Sequence, residues 1–319
     1  VTTSTRQTSV STRTDAAFSH PALFYTGDDD YAKKVGDFVR AEAARGRPVL
    51  VAVPGGRLTL LQDAVGGGHQ DVTWADMRHE GRNPGRLLSL IQQFCDRHAD
   101  RHPAVVSEPV WPGRTPAEVR EATRHEALTN LAFSGRRAAI LCPYDTALPE
   151  DVLEQAHRTH PALGDGPDGF RPSPRYADPH AVCRDCDAPL PEPADPVVLH
   201  FQEGDLGAVR DAAAAWAERA GLAPRRRTDW LLAVNEATGN SVRHGGGRGT
   251  LRLWRADGSV VAEARDRGRL TDPLVGRRRP DPFSPNGGRG VWMMHQLCDL
   301  VEIRTPPAGL VVRLHVALA

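Results

Sequence analysis

The sequence predicts two domains of different class: an α/β domain with a mostly parallel sheet over residues 18–165, and a smaller α+β sandwich over residues 197–319. In the first half, short apolar runs such as VLVAV (Val49 to Val53) and AAILCPY (Ala138 to Tyr144) alternate with helical patterns, as buried parallel strands do. In the second half, strands of strict period two meet at a tight Ala256-Asp257-Gly258 turn, which is a signal of antiparallel pairing. Between them, residues 166–196 shift to Pro, Asp and Gly and read as a linker.

The bounds agree with two domains. At 319 residues the chain can bury two cores. Lys+Arg and Asp+Glu are both 40, so no global field argues for a nucleic acid or an anionic membrane as partner. No apolar run approaches the roughly 18 residues that span a bilayer, and no signal-peptide core is visible, so a cytoplasmic protein is expected. Five cysteines, an odd number, are expected as reduced thiols rather than a disulfide framework.

Taken in order, residues 1–17 are Ser/Thr-rich, cannot offset their ordering entropy, and are expected to be a disordered tail. Asp28 is expected to cap a helix ending at Gly46, and Asn83-Pro84 one that runs to about His102. Thr115-Pro116 opens a further helix, and PEDVLEQAH closes the domain with another. The VLVAV strand runs into Pro54-Gly55-Gly56-Arg57, the place of a phosphate loop, but GxxxxGK[ST] is absent. The layout is thus RecA-like without a P-loop. The stretch from His20-Pro-Ala-Leu-Phe-Tyr25 to the VLVAV strand resembles the opening of MEDS sensory domains, a resemblance that implies a sensing role for an unknown small-molecule signal. In the linker, His180-x-x-Cys183-x-x-Cys186 has a zinc-knuckle spacing, but a second ligand pair is missing nearby. Zinc at Cys183 and Cys186 would need His157, His160 or Cys142 through tertiary contact, and unliganded thiols are the simpler reading.

The second domain starts with a strand, VVLHF, and a helix from about Leu206 to Arg219. The helix Leu231 to Gly245 follows. At about 100° per residue, Leu231, Val234, Thr238, Ser241 and Val242 make a packing ridge, while Glu236, Asn240 and His244 line up opposite. On the strand that returns from the hairpin, Val260, Ala262, Ala264 and Asp266 share the inward face. An inward carboxylate needs a donor, and Gly268 lets a ligand come close. After a Pro/Arg-rich loop, Asn286-Gly-Gly-Arg-Gly290 opens an apolar helix, VWMMHQLCD, where free backbone N–H groups favour an anion. Two strands, LVEIR and LVVRLHVAL, end the chain.

The helix with Glu236 and Asn240, the strand end Asp266-x-Gly268 and the loop Gly287-Gly288-Arg289-Gly290 resemble, in that order, the N, G1 and G2 boxes of the GHKL (Bergerat) ATP-binding fold. EATGNSVRHG is similar to the N box of bacterial anti-sigma-factor serine/threonine kinases. The resemblance implies ATP and Mg²⁺ as cofactors, with Asn240 on the metal, Asp266 on the adenine amino group, Gly268 beside the base, and Gly288 and Gly290 around the phosphates. Glu236 takes the place of the general base. It further implies a STAS anti-anti-sigma protein as substrate and a sigma factor as partner, and leaves room for a homodimer. Leu270 stands where the fuller DxGxG pattern has its second glycine, a departure that bears on lid geometry and affinity. Two competing functions stand beside the kinase: a non-catalytic module in which ATP shapes a binding surface, and a histidine kinase using His125-Glu126, which lacks a second helix for a dimerisation hairpin.

Overall fold

The computed structural model describes residues 18–67, 70–164, 169–280 and 288–318. The expected tail, residues 1–17, and Asn286-Gly287 at the head of the glycine loop lie outside the described residues.

The N-terminal part runs β1 (Phe18–Ser19), β2 (Pro21–Tyr25), α1 (Gly27–Ala44), β3 (Val49–Val53), α2 (Gly55–Val65), β4 (Val72–Asp76), α3 (Met77–Glu80), α4 (Leu87–Arg97), β5 (Ala104–Ser107), α5 (Pro116–Ala132), β6 (Ala138–Asp145), α6 (Glu150–Thr159) and β7 (Ala162–Gly164). Its sheet has the order β4-β3-β5-β6-β2-β7, with β1 beside β6, and every pairing among these strands is parallel. Because successive strand side chains point to opposite faces, Val49, Val51 and Val53 pack under α1 and α2. Leu50 and Ala52 pack on the opposite face with α4 and α5.

Three local expectations are corrected. The first helix is capped at Thr26, not Asp28. Thr26 N donates to Asp30 Oδ2 at 2.9 Å, and Asp28 instead pairs with Arg57 at 2.6 Å. Asn83 does accept from Gly85 N, but it caps a 3-10 turn, and α4 ends at Arg97 rather than His102. The chain must turn there, through His102 at φ 51°, to bring β5 beside β3. The strand-to-helix turn after β3 is closed by ion pairs: a side-chain carbon at Gly55 would collide with the Arg78 guanidinium, and Arg57 reaches Asp28 and Asp145 and stacks on Tyr25 and Tyr31.

The linker is packed structure. It holds β8 (Arg171–Pro172), antiparallel to β7, and α7 (Pro179–Asp185), capped by Asp178. Cys183 and Cys186 are buried against Ala127, Leu128 and Val182. The carbonyls of Ala188 and Pro191 accept from Arg304 and Arg313 of the second sheet.

The C-terminal part runs β9 (Val197–Gln202), α8 (Leu206–Arg219), α9 (Pro224–His244), β10 (Arg248–Ala256), β11 (Ser259–Asp266), α10 (Arg289–Leu297), β12 (Leu300–Arg304) and β13 (Leu310–Ala317). It is the expected sandwich: an antiparallel sheet of order β12-β13-β11-β10-β9 under helices. Asp257 and Gly258 both take positive φ, as a two-residue hairpin needs, and Leu251, Leu253, Val260, Ala262 and Ala264 join the helical core. The α9 helix is a turn and more longer than the periodic stretch, because Pro224 starts it at N1 and Trp230 is wholly buried. The outer face of the sheet is dry around Glu263, which is fully buried and held by Arg252, Arg265 and Arg313. No helix among the described residues is long and apolar enough to cross a membrane.

Candidate functional site

The site is built where the C-terminal end of α9, the end of β11 and the start of α10 converge. They enclose a cavity of about 420 Å³. Asn240, Asp266, Gly268, Gly288 and Gly290 line it, with Val275, Met294, Ile303, Leu310 and Val312 as apolar walls.

Asp266 is fixed from two sides. Ser241 donates its hydroxyl to Oδ2 at 2.6 Å, and the backbone N–H of Gly268 donates to Oδ1 at 2.6 Å. Each carboxylate oxygen has two acceptor sites, so a lone pair remains on each for a ligand donor. Side-chain carbons at Gly245 or Gly268 would crowd this carboxylate, and Arg267 N donates to Gly245 O at 3.1 Å, tying the helix end to the strand. Ser241, read from the sequence as part of the packing ridge, is buried there but also supplies this hydrogen bond.

At the other cluster, Gly288 takes the left-handed conformation, φ 85°, and opens α10. Only a residue without Cβ adopts this at low cost. A side-chain carbon at Gly290 would collide with Glu236 Oε2 and lie 3.2 Å from Asn240 Nδ2, so the start of α10 rests on the polar side of α9. Arg243 donates to Asn240 Oδ1 at 2.9 Å and lies 3.9 Å from Glu236. Sequence periodicity missed Arg243, whose only signal is its i+3 spacing from Asn240. His244, expected on the working face, is exposed at the cavity mouth.

The loop after Asp266 is anchored outside its own domain. Gly276 packs against Val291 in the first turn of α10, and Arg277, buried, donates to Glu121 Oε2 of α5 at 2.6 Å. Arg304 reaches Glu121 Oε1 at 2.7 Å, and Arg124 lies 3.6 Å away. Burial pushes the Glu121 carboxyl up, but the three guanidiniums outweigh it and hold it down at about 2. The end of α10 is docked as well: Asn83 Nδ2 donates to His295 O and Cys298 O, and a side-chain carbon at Gly85 would strike the buried His295 ring.

Residues 19–161 match the methanogen/methylotroph DcmR sensory domain family, MEDS, and residues 200–316 match the histidine kinase-like ATPase domain family. The chain carries a MEDS sensory domain followed by a histidine kinase-like ATPase domain. The crystal structure of the RsbU and RsbW domains of Rv1364c from Mycobacterium tuberculosis is similar at 19% identity and a TM-score of 0.29, over 65% of this chain and 49% of that chain. The chain thus spans about half the length of that structure. No curated protein matches.

The cavity lies wholly in the ATPase domain, whereas α5, whose Glu121 holds the loop after Asp266, belongs to the sensory domain. His125, the phosphoacceptor of the histidine-kinase alternative, is buried in α5, and burial lowers its imidazole to about 4. Cys142 and His160, named as tertiary partners for zinc at Cys183 and Cys186, lie instead with His20 and Glu126, and the two linker cysteines sit in an apolar cluster.

Proposed function

We propose that the protein is an anti-sigma regulatory factor: an ATP- and Mg²⁺-dependent serine/threonine kinase that phosphorylates a STAS anti-anti-sigma partner and binds a sigma factor under control of its sensory domain. The observation that carries the reading is the gathering of Asn240, Asp266, Gly268, Gly288 and Gly290 on one cavity, with Glu236 against Gly290. The partner class rests on the likeness of EATGNSVRHG to the anti-sigma N box.

The residues fit a nucleotide. Asp266 keeps an acceptor for an amino donor, Gly245 and Gly268 leave room beside it, and the apolar walls suit a base. The glycine-led start of α10 offers N–H groups to phosphate oxygens. Asn240 would hold Mg²⁺, which would supply charge neutralisation for phosphoryl transfer, a reaction that needs positioning more than covalent help. Glu236 lies one turn before Asn240, where a carboxylate accepts the proton of an incoming hydroxyl. Arg243 is paired with both, so the Asn240 oxygen would be open to a metal only once Arg243 gives it up.

That same Arg243 contact favours the second reading, a binding module, since it engages both polar groups of α9 before any hydroxyl is present. The test is transfer from labelled ATP to a candidate STAS protein. Under the kinase reading, Glu236→Ala keeps nucleotide affinity and loses transfer by roughly 10²–10⁴, while Asn240→Ala loses both. Absence of transfer from the wild-type chain to a STAS protein it binds gives the binding module; equal rates in wild type and Glu236→Ala remove Glu236 from its role.

A further inference from the structure

Four side chains that the ATPase site does not use meet inside the sensory domain: His20 between β1 and β2, Glu126 in the middle of α5, Cys142 in β6 and His160 at the end of α6. All four are buried, at no more than 1% exposure. Their ligand atoms lie within 4.8 Å of one another. His20 Nε2 is 3.0 Å and His160 Nε2 3.5 Å from Glu126 Oε2, and Cys142 Sγ is 3.4 Å from His20 Nε2 and 3.5 Å from Glu126 Oε2. Around a tetrahedral ion with bonds of about 2.0–2.1 Å to N and O and about 2.3 Å to S, ligand atoms sit roughly 3.3–3.6 Å apart. The cluster has nearly that spacing.

The outer contacts turn both rings the same way. His20 Nδ1 meets the Asn130 carbonyl oxygen at 3.0 Å, and His160 Nδ1 meets Ala156 O at 2.9 Å. With Nδ1 carrying the proton, each Nε2 lone pair faces the other three groups, as second-shell acceptors arrange for metal-bound imidazoles. His160 Nε2 has no hydrogen-bond partner among the described residues. Tyr144 donates to the other Glu126 oxygen at 3.4 Å, leaving Oε2 to the centre. A divalent ion with one carboxylate, one thiolate and two neutral imidazoles is electrically neutral, the state that burial favours.

We propose that His20, Glu126, Cys142 and His160 form a four-coordinate site for a divalent transition-metal ion of the zinc class. The mixed N, O and S donors suit a borderline ion rather than Mg²⁺ or Ca²⁺. The site is separate from the nucleotide cavity and does not depend on the kinase reading.

The test uses the full chain, stripped with a chelator and titrated with Co²⁺ and then Zn²⁺. One ion per chain is expected, with the visible bands of tetrahedral Co²⁺ and a near-ultraviolet thiolate-to-cobalt band, both displaced by Zn²⁺. Cys142→Ser should remove the near-ultraviolet band, and a Cys183→Ser/Cys186→Ser double variant should keep every band. No uptake by the wild-type chain overturns the proposal and leaves a buried hydrogen-bonded cluster; so does a thiolate band that survives Cys142→Ser or disappears with the linker cysteines. If Cys142→Ser does not fold, the wild-type titration and the linker double variant still decide.

Discussion

Replacing Asp266 by Asn changes one atom and tests the floor of the cavity. In the native arrangement both oxygens of Asp266 are acceptors, Oδ1 for Gly268 N–H and Oδ2 for Ser241 O–H. Gly268 N–H can only donate, so the amide oxygen of the variant must take the Oδ1 place. The amide NH₂ then faces Ser241, whose hydroxyl rotates to accept, and the fold survives. The second amide hydrogen points where Asp266 offered a lone pair, so an adenine amino group meets a donor instead of a charged acceptor. A hydrogen bond to a charged group contributes about 1.5–3 kcal/mol, and each 1.4 kcal/mol or so is tenfold. Affinity for a Mg²⁺–ATP analogue, measured by calorimetry on the full chain, should fall about ten- to hundredfold with the melting temperature nearly unchanged. An Asp266→Asn chain that is folded and binds within about twofold of wild type would refute the assignment of Asp266 to the base.

Three further outcomes are expected. Gly290→Ala should weaken nucleotide binding by more than about tenfold while α10 stays helical, because the new methyl meets Glu236 Oε2 and Asn240 Nδ2 and displaces these two side chains from the start of α10; unchanged affinity by calorimetry counts against that turn. Glu121→Leu leaves the Arg277 and Arg304 guanidiniums without their shared carboxylate, and urea unfolding should show a loss of about 3–5 kcal/mol. Glu108 is raised by burial from 4.5 to about 7, against the lowering effect of the Tyr25 and Tyr31 hydroxyls. A raised carboxyl contributes stability that is whole below pH 4.5 and lost as the pH climbs to about 7, here about 3 kcal/mol. Melting curves of wild type against Glu108→Gln, which mimics the protonated acid, should therefore converge at low pH and separate between those values in favour of the variant.

The ATPase half was the more legible because its signals are local. Glu236 and Asn240 are one helical turn apart, and Asp266 and Gly268 bracket a strand end, so periodicity alone puts each pair in place. Ser241 was hidden by the same logic: its position on the ridge is real, but its hydroxyl matters only once β11 arrives beside α9. Glu263 alternates outward from Asp266, yet it is fully buried, since the linker crosses that face. Pro-rich composition in residues 166–196 reports sparse regular structure, one short strand and one short helix among the described residues, not the lack of packing. Least legible was the group His20, Glu126, Cys142 and His160, whose members come from four elements of a parallel sheet fold and share no motif spacing.

Part of the junction between the two halves is made of ions rather than oil. Around Glu121 gather Arg124, Arg277 and Arg304, and beyond them Asp187 and Glu302, three charges of each sign. Several nitrogens there, Arg124 Nε and Arg277 Nη1 among them, lack a hydrogen-bond partner among the described residues. An apolar seam resists parting in proportion to its area, but ions that part regain hydration, so a charged seam adds little net cohesion even though loss of a single member is costly. Such a seam fixes alignment without welding. The loop after Asp266, tied to α5 through Arg277, takes its register from the sensory half.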